Sequence, residues 1–126
     1  MYEWVKNEAR NPNATLYLTN ITLNRSAIEY LENPWHVMLG VDKVRKQIAI
    51  RPVSPQEVSD GFVSNDEIYR ISIGRSYGRI ANRSFCTMIN DLFSLDLTQD
   101  TGRKYPLSFN ARDQLLIIDL AGGEIE

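Results

Sequence analysis

One cysteine and one histidine stand in 126 residues. A lone Cys86 permits no disulfide within the chain and fits a reducing compartment. A lone His36, with no second histidine and no cysteine beside it, offers neither metal-ligand spacing nor a nucleophile–base pair. Long apolar runs are also missing. None approaches the ~18 residues that a membrane-spanning helix needs, and the opening MYEWVKNEAR lacks the basic-then-apolar order of a secretory leader. The expectation is a cytoplasmic protein with no membrane segment. On that expectation the N-x-S/T matches at Asn13, Asn20, Asn24 and Asn82 carry no weight as glycosylation sites. Neither G-x-x-x-x-G-K-S/T nor G-x-G-x-x-G occurs, and the carboxylates form no D-x-D or E-x-x-H pattern. These absences argue against an enzyme, a bound cofactor and a metal.

A basic surplus is lacking too. The net charge of −2 gives no global attraction to a polyanion, so any such site must be local. One local excess is present. The stretch IYRISIGRSYGRIANRS, residues 68–84, carries Arg70, Arg75, Arg79 and Arg83 and no acid, while residues 64–126 together hold seven basic and nine acidic groups. Tyr69, Ile71 and Ile73 alternate with Arg70, Ser72 and Gly74, which sets the arginine and serine on the face opposite the apolar residues. Arginine's planar fork grips a phosphate with two bonds or reads a guanine edge. Arg83, at the start of a helical pattern, adds the free N–H groups of that helix as a phosphate contact. The competing reading pairs these arginines with Asp91, Asp96, Asp100, Asp113 and Asp119 of the same half.

What the sequence does have is a repeat. TLNRSAIEYL (22–31) and IANRSFCTMI (80–89) share Asn-Arg-Ser at an offset of 58. In the first copy Ser26 and Glu29 have capping-box spacing, and Asn33-Pro34 ends the helix. In the second, Phe85, Met88, Ile89, Leu92 and Phe93 fall at helical spacing. After the first helix, Val37, Leu39 and Val41 alternate, a polar turn follows over 42–46, and Ile48 and Ile50 alternate again. After the second, Tyr105, Leu107 and Phe109 alternate, 110–114 turn, and Leu115 to Ile118 are apolar. Each half reads strand, short helix, hairpin. The second holds an insertion near 95–103, expected on the surface. Small units expose too much surface to bury a core alone, so the two halves are expected to share one, with Ile50 and Ile117 both inside. The divisions are an arm at 1–15 anchored by Trp4, a first repeat at 16–53, a linker at 54–66, a second repeat at 67–121 and a tail at 122–126.

This order of strand, short helix and hairpin, twice in one chain, resembles the AbrB-like swapped-hairpin family, including its cell-division regulator branch with two repeats per chain. The residues that carry the likeness are Arg70 in YRIS, Gly78 and Arg79 in RSYGRIA, and Arg83 at the helix entrance. The resemblance implies a mostly-β fold with short helices (α+β), its repeats interlocked as a swapped-hairpin barrel. It also implies double-stranded DNA as partner, bound by a homodimer through Arg70, Arg75, Arg79 and Arg83. Shifted back by 58, these arginines land on Pro12, Tyr17, Ile21 and Arg25, of which only the last is basic, so the reading surface is expected in the second half. The alternative is a non-catalytic interaction module whose arginine face docks an acidic protein partner. The hairpin-tip cluster Lys43, Arg45 and Lys46 reads as a solvated turn, His36 as a strand residue, and Cys86 as a small buried hydrophobe.

Overall fold

Alternating burial fixes the strands. In β1 (Asn13–Leu16) Ala14 and Leu16 point inward, and in β2 (Asn20–Asn24) Ile21 and Leu23 do so. A four-residue helix α1 (Arg25–Ile28) follows, then the hairpin β3 (His36–Asp42) and β4 (Gln47–Val53). Helix α2 (Pro55–Ser59) and a 3-10 turn (Asn65–Glu67) lead to the short strands β5 (Tyr69–Arg70) and β6 (Ser72–Ile73), then β7 (Tyr77–Ala81). Helix α3 (Arg83–Phe93) precedes the second hairpin, β8 (Arg103–Asn110) and β9 (Leu115–Asp119). The computed structural model describes residues 1–4 and 11–122. The remainder of the expected arm and most of the tail lie outside the described residues. No helix among the described residues is long and apolar enough to cross a membrane.

The sheet is antiparallel, in the order β5-β3-β4-β9-β8-β1-β2-β7-β6. Its two ends are fragments of one stretch, separated only by Ile71, whose N–H donates to the Trp35 carbonyl at 3.0 Å. The sheet therefore curls almost into a closed barrel, which leaves little edge exposed. Among the described residues the architecture is mostly antiparallel β with three short α-helices. Pairings β1–β8, β2–β7, β3–β5 and β4–β9 each join a strand before residue 54 to one after residue 66. One hydrophobic cluster, drawn from both halves, fills the interior. Helix α1 packs on the barrel because Gly78 has no side chain: a Cβ there would sit 2.8 Å from the Ile28 Cγ2.

Several expectations need correction. The first helix is capped by Asn24, not Ser26: the Asn24 side chain accepts from the Ala27 N–H, and Glu29 instead pairs with Arg25 at 3.6 Å. Asn82 caps α3 in the same way, accepting from the Phe85 N–H at 2.8 Å. On α3 the buried face is Phe85, Cys86 and Ile89, whereas Met88 and Leu92 look outward. In β9 the inward residues are Leu116 and Ile118; Ile117 lies on the outer face between Ala49 and Ser108. The 95–103 insertion is not wholly superficial. Leu97 is buried, its N–H donating to the Asn90 side chain, and Thr98 accepts from the Leu18 N–H. Strand β1 begins within the expected arm and runs between β2 and β8, while Trp4, expected as its anchor, is 90% exposed. The 54–66 stretch holds α2, closed by a capping box between Ser54 and Glu57.

Parity in β9 has a direct consequence. Ile50 and Leu116 face each other across β4 and β9, both at 0% exposure. Leu116→Asp or Ile50→Asp should bury an unpaired charge and abolish cooperative urea unfolding. Ile117→Asp, one residue along, should keep the transition and cost less than about 2 kcal/mol. Equal damage at 116 and 117 would mean that the strand faces are misassigned.

Candidate functional site

Positions on the outer wall follow from the inward residues. Gly78 and Ile80 are buried on β7, so Tyr77, Arg79 and Ala81 face out. Ile71 is buried between β5 and β6, so Arg70 and Ser72 face out on either side of it. The registers then line these residues up across the barrel. His36 is opposite Arg70 on β3 and β5. Ser72 is opposite Arg79, Arg79 opposite Thr22, Thr22 opposite Thr15, and Thr15 opposite Lys104. All seven are exposed or half-buried, and none is an acid. The result is a belt of cations and hydroxyls across the β5-to-β8 side of the barrel.

Each sequence-derived arginine can now be placed. Arg79 sits mid-belt, its guanidinium 5.7 Å from the centre of the Tyr77 ring, within range of a cation–π attraction. Arg70 is at the belt's end, where it lines a surface depression with Trp35 and His36. Arg75 occupies the turn between β6 and β7, closed by the Gly74 N–H donating to the Tyr77 carbonyl at 2.9 Å. Arg83 is the first residue of α3 and stands apart from the belt, in a shallow depression with Lys43, Asp91 and Leu92. The structure thus groups Arg70, Arg75 and Arg79 on one wall and sends Arg83 toward the first hairpin tip.

None of the four has an ion pair with a described carboxylate. The ion pairs among the described residues are Arg25–Glu29, Arg45–Asp42 and Arg51–Glu57. Asp119 accepts from the Ala121 and Gly122 N–H groups instead, and Asp113 contacts Asn110 within its own turn. No protein-family model matches the chain, and no curated protein or solved structure matches it. The site therefore rests on its own geometry.

Thr15, Thr22 and Lys104 were not singled out from the sequence. Their outward parity was readable, since each alternates with a buried residue, but their alignment in one row with Arg79 depends on which strands lie side by side. The described residues hold no cluster of three or more His, Cys, Asp or Glu that could bind a metal. Cys86 is buried on α3, and burial pushes its thiol up to about 11, opposite to the lowering that a cationic helix start would bring.

The thiol gives a test of this placement. Native Cys86 should react slowly with a thiol reagent, at a rate set by opening of the fold, and rapidly in denaturant. Its folded value lies above its unfolded one, so the folded state keeps a proton that the unfolded state releases. That contribution is complete below the ordinary thiol range and is lost as pH rises toward 11. Cys86→Ala should remove that component of the alkaline destabilisation; an unchanged alkaline limb in the variant would contradict a buried thiol.

Proposed function

We propose that this chain is a non-catalytic, cytoplasmic DNA-binding transcriptional regulator of the AbrB-like type, built from two strand–helix–hairpin repeats that exchange hairpins. The carrying observation is the belt: cations and hydroxyls aligned across several strands with no carboxylate among them.

Pairing and register support the exchanged-hairpin reading. The β3–β4 hairpin lies beside β5 of the other half, and β8–β9 lies beside β1. Between the hairpins Ile48 faces Ile118 while Ile50 faces Leu116, the crossed pairing that a local two-fold axis requires if Ile48 corresponds to Leu116 and Ile50 to Ile118. The tips agree with this correspondence. Asp42 and Asn110 each accept a backbone N–H three residues on, and Lys46 and Gln114 both adopt positive φ. In the strand pairs Thr15–Thr22 corresponds to Ser72–Arg79, and Thr22 faces Arg79 across the same kind of axis. On this reading the strands before the helices repeat at 57, the helix caps at 58 and the hairpins at 68. Asn24 is the last residue of β2, whereas Asn82 follows the end of β7, and this absorbs the extra residue.

On this reading Arg79's counterpart is Thr22, so one cationic and one hydroxyl half meet at the axis. The β6–β7 ribbon, with Arg75 at its tip, has the form of a two-stranded element that a major groove admits. Hydroxyls of Thr15, Thr22 and Ser72 are phosphate donors that fix register without reading bases. One belt per chain is a small footprint, so a homodimer is the proposed binding unit.

Binding to a pool of duplex fragments at two salt concentrations tests the proposal. Affinity should fall steeply with salt, each phosphate contact contributing roughly −0.9 to the slope of log K against log salt. Arg79→Ala and Arg75→Ala should each flatten that slope by about one unit if they touch phosphate. At a base contact they should cost about 1–3 kcal/mol and relax sequence preference. Arg45→Ala, at a hairpin tip and beside Asp42, should change little. Failure to bind duplex at low salt, or equal loss in Arg45→Ala and Arg79→Ala, would sink the DNA reading and favour an acidic protein partner on the same belt.

A further inference from the structure

A second site lies where the turn after α1, the start of the 54–66 stretch and the end of β8 meet. There a pocket of about 400 Å³ is walled by Tyr30, Trp35 and Phe109, with Glu32 and Glu57 on its lining. Tyr30 stacks on Phe109 at a centroid distance of 4.7 Å and an interplanar angle of 10°, which fixes the Tyr30 ring against the barrel. Trp35 leaves 75% of its surface in water, a large exposure for so apolar a side chain. Well-formed pockets of this size, aromatic with a few placed polar groups, are the usual form of a binding site.

The charges select the occupant. Glu32 is exposed and has no ion pair with a described residue. Glu57 is held below the usual carboxylate range by its hydrogen bond to Arg51 and by the Ser54 N–H, so it stays ionised; Arg51 reaches it from outside the pocket lining. Among the described residues, no lysine or arginine lines the pocket. Aromatic faces attract cations through the negative centre of the ring, most strongly for tryptophan, and carboxylates at the mouth add to the attraction.

We propose that this pocket binds an organic cation, a guanidinium or substituted ammonium on a short apolar stem. The head would lie against Trp35 and Tyr30, with Glu32 as its free counter-charge and the prolines at 34, 52 and 55 receiving the stem. Proline-rich segments also dock in aromatic grooves, but they make no use of Glu32. The inference does not rest on the DNA reading: Trp35 also borders the depression that holds Arg70, but no residue lining the pocket belongs to the belt.

The test uses the full chain with Trp4→Phe, which leaves Trp35 as the sole tryptophan reporter. Its fluorescence is followed at constant ionic strength during titration with tetramethylammonium, N-acetyl-arginine amide, a short arginine-bearing peptide, the neutral isostere N-acetyl-citrulline amide and a proline-rich peptide. Saturable change with the cations is expected, with the citrulline compound weaker by about fivefold or more. Glu32→Gln, on an exposed residue that does not touch the core, should weaken the cations severalfold and leave the citrulline compound unaffected. Tyr30→Ala should weaken every cation. Tighter binding of the peptide than of the capped amino acid identifies a protein side chain as the source, and equal binding a free small cation. The proposal is overturned if no cation saturates the signal, if citrulline or the proline-rich peptide binds as well as arginine, or if Glu32→Gln leaves cation affinity unchanged.

Discussion

Ile21 and Ile80 face each other across β2 and β7, both within 1% of complete burial, and their pairing decides where Thr22 and Arg79 point. Side chains alternate along a strand with a period of two. A slip of one residue would turn Arg79 into the core and Ile80 into water. Burying a large aliphatic side chain is worth about 1.5–3 kcal/mol, and an unpaired buried guanidinium costs far more. The inward set of isoleucines and leucines therefore sets the register of every strand, and the outer belt inherits its alignment from that set. The same constraint recurs at β4 and β9, where Ile48, Ile50, Leu116 and Ile118 meet in the interior. The alignment of side chains on the outside of this barrel is a by-product of packing on the inside.

Features that depend on local pattern were legible. Both hairpins were, because an alternating strand gives way to a polar turn and then to a second apolar strand, alternating at Ile48 and Ile50 and continuous from Leu115 to Ile118. The shared core was also legible, since units this small expose too much surface to bury a core of their own, and one cluster does draw on both halves. Parity was less so. Leu115, Leu116, Ile117 and Ile118 are all apolar, so no polar residue marks the outward face, and the partner strand alone makes Leu116 and Ile118 the inward pair. Met88 and Leu92 misled for a related reason: they fall at helical spacing with Ile89, but the helix turns Phe85, Cys86 and Ile89 inward. The Asn-Arg-Ser repeat identified two helix starts, yet the asparagine rather than the serine does the capping in both. The row Lys104, Thr15, Thr22 and Arg79 is a property of topology, which joins residues far apart in the chain.

Separation of charge explains why the arginines are left unpaired in a chain of net charge −2. Several carboxylates are engaged close to home. Asp42 accepts from the Val44 and Arg45 N–H groups in a hairpin tip, Asp119 from two N–H groups beyond β9, and Glu57 from Ser54 at the start of α2. Such short-range bonds satisfy backbone donors that a turn or helix start would otherwise leave to water. An exposed ion pair to a distant arginine would contribute about 0–1 kcal/mol at most, and less in salt. Stability therefore exerts little pull to bring a carboxylate onto the belt. With Asp42, Asp119 and Glu57 held in turns and a cap, and hydroxyls rather than carboxylates at Thr15, Thr22 and Ser72, the cations on and beside β7 have no ion pair with a described carboxylate although the net charge is −2. An anionic group approaching that wall would meet donors on neighbouring strands whose spacing is fixed by the core, with no ion-paired carboxylate among the described residues to displace.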